Sequence, residues 1–254
     1  MHGMKIQEVV DALERFAPLP LQEDYDNAGL QLGLTEAQEV SGALLCLDVT
    51  EAIVDEAIAK GCNLIVSHHP LIFRPLKHIT GENYVQQTVM KAIRNNVAIV
   101  SMHTNLDNAE MGVNHKIAEK MGLTDIEGGG LTFGTFNRPI SARDFITMIK
   151  DTFDAHCVMT NGLLSRPIRK VAMCGGAGSF YLDEAIKAGA DAFVTGEMHY
   201  HEYFGHEQEI QIAVMGHYES EHFTNEIFKE IIERECAGVM CHIAETNTNP
   251  IVYC

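Results

Sequence analysis

The sequence of 254 residues contains no tryptophan, and its 18 Lys and Arg residues are outnumbered by 35 Asp and Glu residues, giving a formal net charge of −17. A charge of this sign opposes binding to extended nucleic acid and favours cations. No apolar run approaches the roughly 20 residues that a membrane-spanning helix needs, and the first residues lack the apolar core of a signal peptide. We therefore expect a cytoplasmic protein that binds neither extended nucleic acid nor a membrane.

Paired cysteines are also missing. The seven cysteines form no Cys-x-x-Cys pair, which argues against a disulfide framework and against a thiolate zinc site. Histidine, by contrast, is abundant, with 13 residues. Imidazoles and carboxylates are ligands that Zn²⁺, Mn²⁺ and Fe²⁺ accept, so this composition suits a site for divalent metal ions.

Strand patterns and helix patterns alternate along the chain. Short apolar runs at 42–47, 62–67 and 97–101 are separated by stretches with helical spacing at 51–60 and 84–95. This alternation predicts an α/β fold with mainly parallel central sheets, joined by right-handed crossovers.

The order of elements is repeated in the second half of the chain. A shift of 128 positions aligns 7 identical residues over the 26 positions from Leu45 to Pro70 without a gap. The aligned stretch is one strand-helix-strand unit. We therefore predict an internal duplication into two similar α/β lobes, 1–127 and 128–254, with the boundary at the glycine run 128–130.

Residues with metal-ligand chemistry follow the predicted strands. His68 and His69 come directly after the strand at 62–67, and Pro70 favours an extended conformation at His69. Ligands of open α/β sheets bind outside the carboxyl ends of the strands. Adjacent side chains diverge, so this pair suits two neighbouring ions better than one. The simpler alternative is a pair of polar residues that cap a strand.

Two later strands each end in the spacing His-x-x-x-acid, as His103 with Asp107 and as His217 with Glu221. If an approximate two-fold axis relates the lobes, these strand ends and the His-His pair can face a common cleft. A carboxylate can bridge two ions about 3.5 to 4 Å apart. The pattern therefore predicts a two-metal site, although a solvated helix face remains the alternative for His217 and Glu221.

Several motifs are distributed over nearly the whole chain. They are Asp26-Asn27-x-Gly29-Leu30-Gln31-x-Gly33, Ser67-His68-His69-Pro70, His103-Thr104-Asn105-Leu106-Asp107 with Gly112-x-Asn114, Gly175-Gly176-Ala177-Gly178-Ser179, Thr195-Gly196-Glu197 with Tyr200-His201, and Gly216-His217-Tyr218-x-Ser220-Glu221. In combination they resemble the Nif-three-like family, whose members are named GTP cyclohydrolase 1 type 2 homologs.

The resemblance implies two interlinked α/β lobes and two divalent metal ions per subunit, Zn, Mn or Fe. His69 and Asp107 would bind one ion, His68 and His217 the other, and Glu221 would bridge them. The resemblance also implies a ring-shaped homohexamer and a small-molecule substrate, GTP or another nucleotide.

Two departures from the family concern the substrate and not the proposed ligands. Tyr25 stands where many relatives carry tryptophan, and the chain lacks the extra domain that longer relatives insert between the halves. The resemblance therefore leaves the substrate preference open.

The favoured function is a metal-dependent hydrolase in which metal-bound water attacks the substrate, with His103 and His201 as the candidate catalytic groups that move protons. Glu197 and His199 are candidates to line the same cleft. The glycine-rich loop 175–179 either cradles an anion or forms a tight turn. The alternative function is a hexameric metal-binding scaffold or metal-buffering protein without turnover.

Overall fold

The computed structural model describes residues 3–33, 36 and 38–254. The chain forms two compact units. The first comprises Met1–Ala109 and Phe223–Pro250, and the second comprises Glu110–His222 and Ile251–Cys254. Each unit contains a sheet together with helices, which confirms the predicted α/β class.

The predicted strands and helices are present, with ends that differ by one or two residues. In chain order the elements are α1 Ile6–Phe16, β1 Gly29–Leu32, β2 Ala43–Cys46, α2 Glu51–Ala59, β3 Leu64–Ser67, α3 Tyr84–Arg94, β4 Ala98–Ser101, α4 Thr104–Asp107, α5 Val113–Lys120, β5 Thr124–Gly128, β6 Thr132–Ile140, α6 Ala142–Phe153, β7 Met159–Thr160, β8 Ile168–Cys174, α7 Leu182–Lys187, β9 Ala192–Thr195, β10 Gln211–Val214, α8 His217–Glu221, α9 Thr224–Glu235 and β11 Cys241–Ile243. Among the described residues, no helix has both the length and the apolar character that crossing a bilayer requires.

Polar side chains fix where three of the helices begin. Thr50, Asn83 and Ser141 are the N-cap residues of α2, α3 and α6, and each side chain accepts a hydrogen bond from the backbone N–H three residues further on. Such a cap satisfies one of the N–H groups that have no partner inside the helix. These three helices therefore start where the sequence supplies a capping oxygen.

The sheet of the first unit has the strand order β1-β4-β3-β2-β11. Strand β1 runs antiparallel to β4, whereas the other neighbouring pairs are parallel. Residues of β2, β3 and β4 are buried throughout, and α2 and α3 cover the sheet with side chains such as Ile53 and Val89. The carboxyl ends of β2, β3 and β4 consequently lie side by side at one edge.

The sheet of the second unit has the order β5-β6-β8-β9-β10-β7. Its central strands β8, β9 and β10 are parallel, and the flanking strands are antiparallel. The order β7-β10-β9-β8 repeats the order β1-β4-β3-β2, and the bounds of β3 shifted by 128 positions are those of β9. This topology confirms the prediction of two similar lobes with parallel strands at the centre of each sheet.

The glycine run 128–130 begins at the last residue of β5 and lies in an antiparallel β5–β6 hairpin inside the second unit. Sequence reasoning missed this hairpin because β5 is largely exposed and carries no apolar pattern. The compact units assign 110–127 to the second unit and 223–250 to the first. The bounds 1–127 and 128–254 come from the duplication in the sequence, and the division into lobes at these bounds stays a prediction.

Asp191 ties together the beginnings of β8 and β9. Its carboxylate accepts hydrogen bonds from the backbone N–H groups of Lys170 and Arg169, each at 2.9 Å, and from the guanidinium of Arg166. Burial acts to raise the pKa of Asp191, but these hydrogen bonds and the charge of Arg166 outweigh it and hold the pKa below its usual value. The ionised carboxylate therefore stabilises the second unit.

We predict that Asp191→Asn lowers the free energy of unfolding at pH 7 by about 1 to 3 kcal/mol, as expected for lost hydrogen bonds to a charged group. The pKa of Asp191 is lower in the folded than in the unfolded state. Its contribution is therefore complete above the unfolded value of about 3.9 and is lost as the pH falls through the folded value. Denaturant titrations of the unchanged protein and of Asp191→Asn at pH 7 and at pH 3 measure the difference in the free energy of unfolding.

The matched control is Asp151→Asn, at an exposed position of α6. It should change the free energy of unfolding by no more than about 0.5 kcal/mol at either pH. A loss for Asp191→Asn that is equally large at both pH values would contradict the assignment.

Candidate metal centre

Three imidazoles meet at the carboxyl edge of the first unit's sheet. His68 and His69 follow β3, and His103 follows β4. Their ring centroids are 5.0 Å apart for His68 and His69, 5.3 Å for His68 and His103, and 5.5 Å for His69 and His103. One ring nitrogen from each lies within 4.8 Å of the other two. The strand ends thus present three potential nitrogen ligands to one small volume.

A carboxylate adjoins this cluster. His103 is the N-cap residue of α4, and Asp107 ends that single turn. The turn brings Asp107 back towards β3, where its Oδ1 lies 3.6 Å from Nε2 of the fully buried His68. The first unit therefore brings His68, His69, His103 and Asp107 together, as the strand-end pattern predicts for these four residues.

The Nδ1 atoms of the three rings are each held by an oxygen acceptor. His68 Nδ1 lies 2.8 Å from the carbonyl of Met102, His69 Nδ1 lies 2.7 Å from Asp48, and His103 Nδ1 lies 2.7 Å from Asp26. A carbonyl oxygen only accepts, so Nδ1 of His68 carries the proton in the neutral ring. The hydrogen bonds of His69 and His103 with carboxylates likewise make Nε2 the ring nitrogen that could bind a metal ion or accept a proton.

Asp26 and Asp48 are ionised in this arrangement. Burial acts to raise the pKa of Asp26, but hydrogen bonds from His103 and Thr104 and the charge of His103 lower it to about 2. Burial likewise opposes the lowered pKa of Asp48, which results from the hydrogen bond and charge of His69 and from Thr248. Both carboxylates are therefore acceptors at neutral pH.

Sequence reasoning gave no role to Asp26 or Asp48. Asp48 stands two residues beyond the end of β2, so the strand-end rule that singled out His68 and His103 applies to it as well. Asp26 belongs to a motif quoted above. Asp26 and His103 are 77 residues apart in the sequence, so no local sequence pattern indicates their contact.

The second unit supplies a separate pair of ligands on α8. His217 Nε2 lies 3.1 Å from Glu221 Oε2, because the spacing of four residues puts both on one helix face. His217 Nδ1 lies 2.8 Å from Glu197 Oε1, so that Glu197 orients this ring as Asp48 orients His69. The Glu221 side chain is almost completely buried. The pair is thus a fixed imidazole and carboxylate, and not a solvated helix face.

A glycine permits the position of Glu221. Gly176 has φ +57, and a Cβ atom there would lie 2.3 Å from Glu221 Oε1 and 3.4 Å from His217 Nε2. The backbone amides of Gly175, Gly176 and Gly178 donate to side chains within the second unit. The loop 175–179 therefore acts as a tight turn against Glu221, and the anion-cradle interpretation of these three amides is wrong.

His201 lies in a 3-10 turn, Tyr200–Tyr203, on the surface of the second unit. Its ring contacts those of Tyr200 and Phe204. His199 precedes the turn, and its backbone N–H donates to Glu202. The catalytic assignment of His201 stays a prediction.

The chemistry of these donors fits a divalent cation. Imidazole nitrogen and carboxylate oxygen are ligands that Zn²⁺, Mn²⁺ and Fe²⁺ share. The outer partners Asp26, Asp48 and Glu197 match the carboxylate-histidine pairs that support metal-binding histidines. Fold and donors together define an α/β protein with candidate groups for binding metal ions at the carboxyl ends of its strands.

Comparison with known proteins identifies the family. The family model Duf34/NIF3 (NGG1p interacting factor 3) matches residues 4–250, and the chain belongs to this family. It is 31% identical over 232 residues to the GTP cyclohydrolase 1 type 2 homolog of Clostridium acetobutylicum, covering 86% of each chain. It is 30% identical over 268 residues to NIF3-like protein 1 of Drosophila melanogaster, covering 98% of this chain and 89% of that protein.

Solved structures show the same fold. The Staphylococcus aureus hypothetical protein SA1388 superposes with a TM-score of 0.91 at 26% identity over 100% of both chains. A Bacillus cereus protein related to NIF3 superposes with a TM-score of 0.90 at 23% identity, also over 100% of both chains. The resemblance read from the sequence motifs is therefore confirmed.

We predict that Gly176→Ala weakens the binding of Mn²⁺ or Zn²⁺ at least tenfold, because the added methyl group would displace the Glu221 carboxylate. Gly189→Ala is the matched control, since Gly189 also has a positive φ, of +72, but its Cβ would meet no atom within 4 Å. Both variants pay a backbone cost of about 1 kcal/mol. Isothermal titration with metal measures the difference, and equal affinities in the two variants would contradict it.

We predict that Asp48→Asn weakens metal binding about 10- to 100-fold, as is usual when the carboxylate behind a metal-binding histidine is replaced. Titration of the apoprotein with Zn²⁺ measures the affinity, and ¹⁵N chemical shifts of His69 report its tautomer. Asp55→Asn, on the exposed side of α2, is the control. An unchanged tautomer and affinity in Asp48→Asn would rule out the positioning role.

Proposed function

We propose that the two donor sets act together as one dinuclear metal centre and that the protein is a metal-dependent hydrolase. In this proposal His69 and Asp107 hold one divalent ion, His68 and His217 hold the second, and Glu221 bridges them. The substrate is a small molecule, a nucleotide such as GTP or a related compound. Zn²⁺, Mn²⁺ and Fe²⁺ all suit these ligands.

The observation that carries the proposal is the imidazole cluster of the first unit, with three ring nitrogens within 4.8 Å of one another. Imidazoles at this spacing would repel one another if protonated, whereas neutral rings can bind a divalent cation. Asp107 adds a negative charge next to His68. The pair of His217 and Glu221 supports the proposal independently, because it repeats an imidazole with a carboxylate after a central strand.

Bound divalent ions would supply Lewis acidity, lowering the pKa of a water molecule and polarising the group that it attacks. His103 supplies the proton chemistry. Its Nδ1–H is engaged by Asp26, so Nε2 is the nitrogen that can accept a proton. The ionised Asp26 then stabilises the resulting imidazolium, as a buried aspartate does behind other catalytic histidines.

The names of the relatives support the substrate class. Curated relatives are named GTP cyclohydrolase 1 type 2 homolog, which is consistent with a reaction on a purine nucleotide. Such a name reflects membership of the family and not the chemistry of the site. Other phosphoesters and ring amides are therefore also proposed as possible substrates. We place the protein in the cytoplasm as a homohexamer, with the assembly tested by its mass in solution.

We predict that Asp107→Ala and Glu221→Ala each abolish turnover and lower the bound metal, because each removes a ligand. The protein is stripped with a chelator, reloaded with Mn²⁺, Zn²⁺ or Fe²⁺, and assayed against GTP and a panel of phosphoesters. His103→Gln should keep its metal and lose about 10²- to 10⁴-fold in rate, since it lacks only the proton acceptor. Asp183→Ala, at an exposed position of α7, is the control.

The same experiment separates the hydrolase from the alternative. Turnover that is lost in Asp107→Ala and Glu221→Ala, with the mass in solution unchanged, supports the enzyme. Stoichiometric metal binding without turnover on any substrate would contradict it and would favour a metal-binding scaffold or metal buffer.

A further inference from the structure

A concave pocket of about 430 Å³ lies entirely within the second unit, and His217 forms part of its wall. Its floor is built from the loop after β8 and from the ends of β9 and β10, and Met159 of β7 stands at one side. Ile251 and Tyr253 form another wall. Its volume lies in the range of small-molecule sites, about 300 to 1,000 Å³.

The walls of this pocket expose large apolar side chains. Met159 is 54% exposed, Ile251 is 51% exposed and Tyr253 is 42% exposed. The Tyr253 ring contacts that of His156, with centroids 5.9 Å apart, and its hydroxyl oxygen would lie 3.2 Å from a Cβ atom added at Gly216. Apolar and aromatic groups exposed inside a concavity are typical of a surface that a flat, apolar ligand covers.

The charge of the pocket is unfavourable for phosphate. Among the described residues that line it there is no lysine or arginine, whereas Glu197 contributes a carboxylate. The neighbouring glycine loop offers no compensation, because the amides of Gly175, Gly176 and Gly178 are used within the unit. In the metal-free protein, a triphosphate placed here would meet the carboxylate of Glu197 with no lysine or arginine beside it.

The same groups suit a ligand with N–H donors. Glu197 is 55% exposed along its side chain, and Oε1 is the oxygen that His217 uses. Oε2 can therefore accept hydrogen bonds from ring N–H or amino groups, the contact that carboxylates make with nucleobases. Methionine and tyrosine side chains pack favourably against flat rings.

We propose that this pocket binds a flat, uncharged nitrogen heterocycle as the recognised part of the substrate, with its N–H donors on Glu197 and its ring against Met159 and Tyr253. Charged phosphate groups stay outside the pocket. The proposal rests on the proposed function only for the idea that the heterocycle lies beside the metal ligand His217. It specifies a nucleoside-like substrate, in contrast to recognition through a triphosphate.

The test is isothermal titration of metal-free protein with guanosine, adenosine and cytidine, with their 5′-triphosphates, and with inorganic tripolyphosphate. We expect at least one nucleoside to bind at least tenfold more tightly than its triphosphate, and tripolyphosphate not to compete. Tyr253→Ala and Met159→Ala should each weaken nucleoside binding about tenfold, the usual effect of removing a side chain that stacks on a base. Tyr253→Phe keeps the ring and should bind as the unchanged protein does.

Further variants distinguish failure of this proposal from failure of the proposed function. Asp107→Ala, which should lose metal, must retain nucleoside binding, because the pocket lies in the other unit. Glu197→Gln should reduce the preference for nucleosides over triphosphates. Triphosphates that bind as tightly as nucleosides, unaltered binding in Tyr253→Ala and Met159→Ala, or no nucleoside binding at millimolar concentration would each overturn the pocket assignment, whatever the metal experiments give.

Discussion

The parallel register of β3 and β4 is the constraint on which the first unit's donor set depends. Ser67 pairs with Ser101 at the last step of the ladder, and their hydroxyl oxygens lie 2.8 Å apart. Both strands therefore stop at the same level. The next residues, His68 on one strand and Met102 on the other, leave the sheet side by side, and the carbonyl of Met102 holds the His68 ring. A shift of one residue would turn the side chains after each strand to the opposite face.

Carboxylates behind the rings provide the second level of organisation. Asp26, Asp48 and Glu197 each occupy an Nδ1 atom, so the histidines present the same nitrogen, Nε2. Holding a polar side chain in a buried position is costly unless each of its polar atoms has a partner. For the partly buried rings of His69, His103 and His217, the carboxylates supply such a partner at Nδ1 and also fix the orientation that metal binding needs. Gly176 does the equivalent for Glu221 by leaving room for its carboxylate.

The parts of the protein that could be predicted from sequence are those with local causes. The buried strands β3 and β4 are short β-branched runs, and the rule that ligands bind at the carboxyl ends of strands singled out His68, His69, His103 and Asp107. The duplication was readable because α2 and α7 keep four consecutive identical residues. These features need only a short window of sequence or one internal alignment.

The parts that could not be predicted depend on contacts between distant segments. Strand β11 has three residues and pairs with β2, which lies about two hundred positions earlier in the chain. Asp26 acquires its role from His103, and Asp48 acquires its role from His69 and Thr248. The pocket of the second unit requires Tyr253 to lie near Met159, which is far from it in the sequence. Neither periodicity nor spacing carries that information.

The proposed dinuclear centre requires two ions to be held as neighbours, by His68, His69 and Asp107 of the first unit together with the pair of His217 and Glu221. Electron paramagnetic resonance of the apoprotein loaded with two equivalents of Mn²⁺ tests this most directly. Ions about 3.5 to 4 Å apart are predicted to give the spectrum of an exchange-coupled pair. The six-line spectrum of isolated Mn²⁺ at full loading would contradict the claim.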